Sequence, residues 1–214
     1  WHDGNVMRPR EYHSALLITA LMLSALTTVM IPVSANTPVS GSIATSADWS
    51  GDVLLTGDVY VEHGVILNLK AGAVVNAAEY SLVVNGTLTG TDAQILSSAS
   101  TDAGNHTSTV GMWPGIVINA GGDASLTGVS ISNAKTAMMI HGTATLDSVS
   151  VSTSYIGIEV DGSATIDDLT CSAIDFECVL VSGNAVLDGL VADAVASGVV
   201  SSGDLDATNI DIDN

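Results

Sequence analysis

The chain has 214 residues, 47% of them hydrophobic, which is enough for one sizeable core, yet only 4% are aromatic, so small side chains must do most of the packing. Twenty-three acidic residues against four basic ones, Arg8, Arg10, Lys70 and Lys135, leave a net charge of -19. A field of that sign repels nucleic acid and anionic lipid, and Val, Ile, Leu and Ala throughout the acidic region argue for a folded, salt-adapted surface rather than disorder.

In chain order, the first segment stands apart. "MRPREYHSALLITALMLSALTTVMIPVSA" begins with Arg8 and Arg10, continues through an apolar stretch from Ala15 to Ile31, and places Val33 and Ala35 at the small-residue positions before a cleavage point. It reads as a secretory signal helix cut after Ala35. The rival is an uncleaved membrane anchor, since the stretch approaches the roughly 20 residues that span a bilayer. Met7 makes a better start than Trp1, so residues 1–6 read as an upstream extension. Either way the remainder is expected outside the cytoplasm, extracellular or at the cell surface. Residues 36–47 read as a linker.

From residue 48 onward short apolar–polar alternations are punctuated by glycine: "DVLLTGDVYVEHGVILNLKAGAVVNAAEYSLVVNGTLTG" carries Gly57, Gly64, Gly72, Gly86 and Gly90. The polar run "SSASTDAGNHTSTVG" at 97–111 lacks periodic apolar residues and is expected as a loop bulging from one coil. "MWPGIVI" then resumes the pattern.

Beyond it one phrase recurs. "TATLDSVSVS" at 143–152 returns as "SATIDDLTCS" at 163–172 and "NAVLDGLVAD" at 184–193. Leu126, Leu146, Ile166 and Leu187 share one column; Val129, Val149, Leu169, Leu190 and Ile210 a second; Ile131, Val151, Cys171, Ala192 and Ile212 a third. Gly142, Gly162, Gly183 and Gly203 mark the same place in each unit. A period of about 20 to 22 residues means a solenoid whose units bury their apolar face by stacking. The β-branched, period-two alternation favours strands over helices, and the leucine-rich framework with its Asn-centred motif is missing. The predicted fold is all-β, a right-handed parallel β-helix over 48–214, preceded by the hydrophobic signal or anchor helix. The repeat runs to the last residues without a recognisable cap, so the chain reads as truncated at its C-terminus.

"GDVYVEHGVILNLKAGAVV", "LVVNGTLTG", "QILSS", the polar loop and "WPGIVI" together resemble the amino-terminal half of secreted right-handed β-helix repeat proteins of the broad pectate-lyase-like group, which includes many adhesins and surface proteins. The resemblance spans roughly 48–214 and implies the fold far more than any activity. It implies a rigid module for surface structure or binding, with glycans or other cell-surface proteins as partners. The alternative it brings is a carbohydrate-active enzyme, a polysaccharide lyase or glycoside hydrolase.

Candidate chemistry is sparse. Asp147, Asp167 and Asp188 share a column, and the plain reading makes them corner residues, because Asp tolerates turn dihedrals. The sharper reading is a calcium ladder: carboxylates about 4.8 Å apart repel by about 0.9 kcal/mol per pair even in bulk water, and a bound cation relieves this. Beyond that one ion no cofactor is expected. Cys171 and Cys178 are either a disulfide across one turn of chain or two small buried hydrophobes. Asn85 and Asn105 fit the N-glycosylation acceptor pattern.

Catalytic residues are not expected. Lyases of the resembled group pair calcium-binding acids with an Arg base, and residues 36–214 contain no Arg, only Lys70 and Lys135. A glycoside hydrolase needs paired acids in one groove; the adjacent pair Asp167–Asp168 is expected on opposite faces of a strand. His63, His106 and His141 are scattered, and neither a zinc motif nor a serine-nucleophile elbow is present. Trp113 reads as packing ahead of "GIVI" rather than as a sugar platform.

Overall fold

The computed structural model describes residues 36–98 and 112–213. Among them there is no helix, and the chain winds as a parallel β-solenoid of about eight turns. The predicted signal or anchor helix, cleavage at Ala35, residues 99–111 and Asn105 lie outside the described residues.

Each complete coil contributes a strand to three parallel faces. The first face passes from Ala47–Trp49 through Ile66–Leu69, Thr87–Thr91, Asp123–Thr127 and Thr143–Asp147 to 163–167, 184–188 and 204–208. The second includes Val74–Asn76, Gln94–Leu96 and Ser130–Ser132 and continues through 150–152, 170–172, 191–193 and 211–213. The third includes Leu82–Val84, Ile116–Ile118, 138–140, 158–160, 179–181 and 199–201. Thr143 pairs with Ser163, Ser163 with Asn184 and Asn184 with Asp204, steps of 20, 21 and 20 residues, so the period read from the repeated phrase is the coil length.

This register stacks like on like. Leu126, Leu146, Ile166 and Leu187 follow one another directly and are all fully buried, as are Val149, Leu169 and Leu190 beside them. The second-face column Ile131, Val151, Cys171 and Ala192 is equally enclosed. The Leu190 and Ala192 columns continue into the next coil as Ile210 and Ile212, which lie open at 38% and 42%. Burying a Leu or Ile fully contributes about 1.5–3 kcal/mol, so these interior columns are the main favourable term of the fold.

Three corners join the faces, two through left-handed backbone and the third through close approach. Between the first and second faces the backbone turns through left-handed residues: Asp92, Gly128, Ser148, Asp168, Gly189 and Asn209. Between the second and third it does so at Ala78, Asn133, Thr153, Ala173 and Ala194. Between the third and the first stand Gly122, Gly142, Gly162, Gly183 and Gly203, which need glycine for space: a Cβ on Gly162 would lie 2.2 Å from the Gly142 carbonyl oxygen. That closeness lets Ser163 N donate to Gly142 O at 3.0 Å and Asn184 N to Gly162 O at 2.9 Å, carrying the strand pairing through the turn.

Three expectations change. The 36–47 stretch is not only a linker: Thr37–Ile43 is a strand that pairs 37–39 with 53–55 and 41–43 with 59–61, seating Val39 and Ile43 against the core. Its polar composition hides this, because it covers one edge of the stack and exposes most of its length. Ser97, expected as the first residue of the loop, is a buried corner residue whose Oγ donates to Ala78 O at 2.6 Å. Asp167 and Asp168 do not take opposite faces; both are exposed, because Asp168 adopts φ 54° and turns the corner. The step from Thr87 to its partner Asp123 is 36 residues, so the polar insertion enters between Gln94–Leu96 on the second face and Ile116–Ile118 on the third.

Candidate functional site

The outward side chains of the first face form three parallel rows. One passes through Thr87, Asp123, Thr143, Ser163, Asn184 and Asp204; the next through Asp48, Asn68, Thr89, Ser125, Thr145, Thr165, Val186 and Asp206; the third through Thr91, Thr127, Asp147, Asp167, Asp188 and Thr208. They lie on one face because strand residues at i and i+2 point the same way, and they form rows because the coils are in register. Between the first two rows, towards the C-terminal coils, lies a shallow concavity of about 550 Å³ floored by Ala144, Ala164 and Ala185 and walled by Thr143, Thr165, Asn184 and Asp206. Near the other end a second concavity of about 540 Å³ lies over Ala47, between Ser46 and Ile66 on one side and Asp48, Asn68 and Thr89 on the other.

The polar groups at the N-terminal end bond along the axis. Asn68 Nδ2 donates to Asp48 Oδ1 at 3.0 Å, and Thr89 Oγ1 donates to Asn68 Oδ1 at 3.1 Å. Lys70 Nζ stands 3.1 Å from the same Asp48 oxygen. The Lys70 bond, then the Asn68 bond, hold the Asp48 carboxyl below its ordinary pKa. At the other end Asp188 Oδ1 accepts from Thr208 Oγ1 at 2.7 Å and Asn209 Nδ2 at 2.6 Å, and these two donors lower its pKa in the same way.

Asp147, Asp167 and Asp188 do stand side by side in one row, at the end of the first face where the corner begins. All three are exposed, and Asp147 Oδ1 accepts from Ser148 Oγ at 2.9 Å. Among the described residues no three His, Cys, Asp or Glu side chains gather in an arrangement that holds a metal ion. Within the row, the Asp147 and Asp188 carboxylates accept from hydroxyl and amide donors. Cys171 and Cys178 are joined, with S–S 2.02 Å and Cα–Cα 6.0 Å, across the corner between the second and third faces.

A second polar column runs along the glycine corner, and sequence reading missed it. Asn119 Nδ2 donates to Asn85 Oδ1 at 2.8 Å; further along, His141 Nδ1 lies 3.0 Å from Asp161 Oδ2, and Ser182 Oγ donates to Asp161 Oδ1. The signal was available in the residue preceding Gly86, Gly142, Gly162 and Gly183. Serine, histidine and aspartate thus meet, but with the carboxylate in the middle. Acyl transfer needs imidazole between hydroxyl and carboxylate so that it can take the serine proton. Here the serine has no such base, and the group ties three coils together. Asn85, a predicted glycosylation acceptor, is half-buried in this column.

Trp113 is fully buried and its Nε1 donates to Ser132 O at 2.9 Å, which makes it packing rather than a sugar platform. No protein-family model, no curated protein and no solved structure matches the chain.

Proposed function

We propose that the chain is an exported, rigid β-solenoid module of a cell-surface or adhesin-like protein, which works by displaying its outer faces rather than by catalysis. The observation that carries this is the arrangement of the first face: rows of Thr, Ser, Asn and Asp held in register, two of them over six coils and the middle one, broken only by Val186, over eight, about 34 Å at the usual strand spacing. Such a face offers a long, stiff, evenly spaced set of hydroxyl and carboxamide groups. Asp48 and Asp188 on this face are both pushed towards the ionised form by the groups that bond to them. A glycosidase acid needs the opposite shift, a carboxyl kept protonated by burial. The leader-like residues 7–35, the disulfide and the resemblance to secreted β-helix surface proteins support a place outside the cytoplasm. Partners are glycans or other surface proteins.

The test is expression of the full chain followed by protease treatment of intact cells and of the medium. Digestion of the module without lysis, or its recovery from the medium, supports the reading; a module protected until lysis overturns it. A carbohydrate-active enzyme is the second reading, favoured by the concavity at the C-terminal coils and by Asp204 and Asp206 along its wall. Release of reducing ends or unsaturated uronates from a polysaccharide panel, abolished by Asp204→Asn or Asp206→Asn, would replace the first reading with the second.

A further inference from the structure

One coil is a residue longer than its neighbours. Four residues separate Ile174 from Val179, where the preceding coil places three between their partners Ser154 and Ile158. The next coil pairs Val195 with Ile174 and Ser197 with Glu177, so Asp175 and Phe176 together stand opposite the single residue Ala196. A bulge of this kind re-aims side chains, and here it turns Phe176 outward to 49% exposure in a chain with little aromatic surface. The ring stacks on Tyr155 of the preceding coil, with centroids 5.3 Å apart and planes 23° from parallel. The disulfide from Cys171 to Cys178 brackets the extra residue and clamps it.

The stack follows the solenoid axis, with Lys135 in register beside Tyr155 on one side and Ala196 opposite Phe176 on the other. Ala196, exposed and opposite Phe176 in the next coil, offers only a methyl group, which is too small to cover a phenyl ring, and Phe176 is itself 49% exposed, so the aromatic stack is not continued by a third ring there. An aromatic face carries the negative part of the ring quadrupole and attracts cations. Glu177 lies in the same bulge, and the net charge of -19 draws cations towards the surface. A planar cation suits that place better than a hydrated ammonium, because guanidinium stacks on aromatic faces. We infer that the clamped bulge is a docking point for a partner protein, in which an arginine side chain of that partner stacks on Phe176 above Ala196.

The inference rests on the reading of the chain as a binding module, and the two fail separately: a module that is displayed outside the cell but does not respond to arginine loses only this contact. The probe is the peptide acetyl-Gly-Arg-Gly-amide, titrated into the disulfide-intact full chain while the Phe176 and Tyr155 rings and the Ala196 methyl are followed by NMR. Saturable shifts at these three groups are expected, with binding weakened by about tenfold when citrulline replaces arginine. Ala196→Phe, which supplies a third ring, should abolish the shifts without changing the circular dichroism spectrum, and Phe176→Ala should do the same. No response, equal responses to both peptides, shifts spread over the Asp-bearing first face and unchanged in Ala196→Phe, or a response to neutral sugars instead would each overturn the assignment.

Discussion

Replacing Gly162 by alanine tests whether the third corner is held by backbone contact. The new Cβ would sit 2.2 Å from Gly142 O and 2.6 Å from His141 O, whereas ordinary contact begins at 3.4 Å, so the coils must separate locally by about 1.2 Å. That movement acts on Gly162 N to Ile140 O at 2.8 Å, Asp161 N to Ile140 O at 2.9 Å and Ser163 N to Gly142 O at 3.0 Å. Three backbone bonds at about 0.5–1.5 kcal/mol each give a loss of about 1.5–4.5 kcal/mol, and lower unfolded-state entropy returns about 0.4–1 kcal/mol. The expected net destabilisation is centred on about 2 kcal/mol, measured by urea unfolding followed by far-ultraviolet circular dichroism. Gly72→Ala is the control: φ is +78° with nothing within 4 Å of a Cβ, so only the dihedral cost of about 1–2 kcal/mol applies. A Gly162→Ala protein within about 0.5 kcal/mol of wild type, or no weaker than Gly72→Ala, would refute the steric account.

The left-handed corners give the opposite sign: Thr153 and Ala173 sit at φ 49° and 53°, so Thr153→Gly and Ala173→Gly should each stabilise by about 0.5–1 kcal/mol in the same assay, and a loss would contradict it. Reducing the Cys171–Cys178 bond, which spans a sequence separation of 7, should cost about 2 kcal/mol on loop entropy, seen as a lower urea midpoint with dithiothreitol. Trp113→Ala should cost about 3–5 kcal/mol by leaving a cavity, and a near-neutral result would mean the ring is not packed as described. Asp188 has a folded pKa below 3.8, so its contribution is present above that value and is lost as pH falls through the folded pKa. Carboxyl NMR titration of a Thr208→Val, Asn209→Ala variant should move Asp188 back up towards 3.8; an unchanged titration would remove the two donors as the cause.

The solenoid was legible because its interior obeys a local rule repeated many times. Leu146, Ile166 and Leu187 must each face inward, and neighbours in register must present the same side, so the apolar columns and the 20- to 21-residue step are written into the chain. The carboxylate row followed from the same periodicity. What the sequence could not determine depends on how one coil meets the next. Thr37–Ile43 reads as polar linker, and only pairing with 53–55 and 59–61 makes it a strand. Asp168 looks like a strand residue until its left-handed dihedral turns it to the same side as Asp167. His141, Asp161 and Ser182 are about 20 residues apart along the chain and meet only because the coils stack. Phe176 looks like one more apolar residue; the extra residue in its coil, visible only against the coils on either side, brings it to the surface and stacks it on Tyr155. Periodicity fixes which residues are inside, whereas contacts between coils depend on backbone dihedrals and register shifts that composition does not encode.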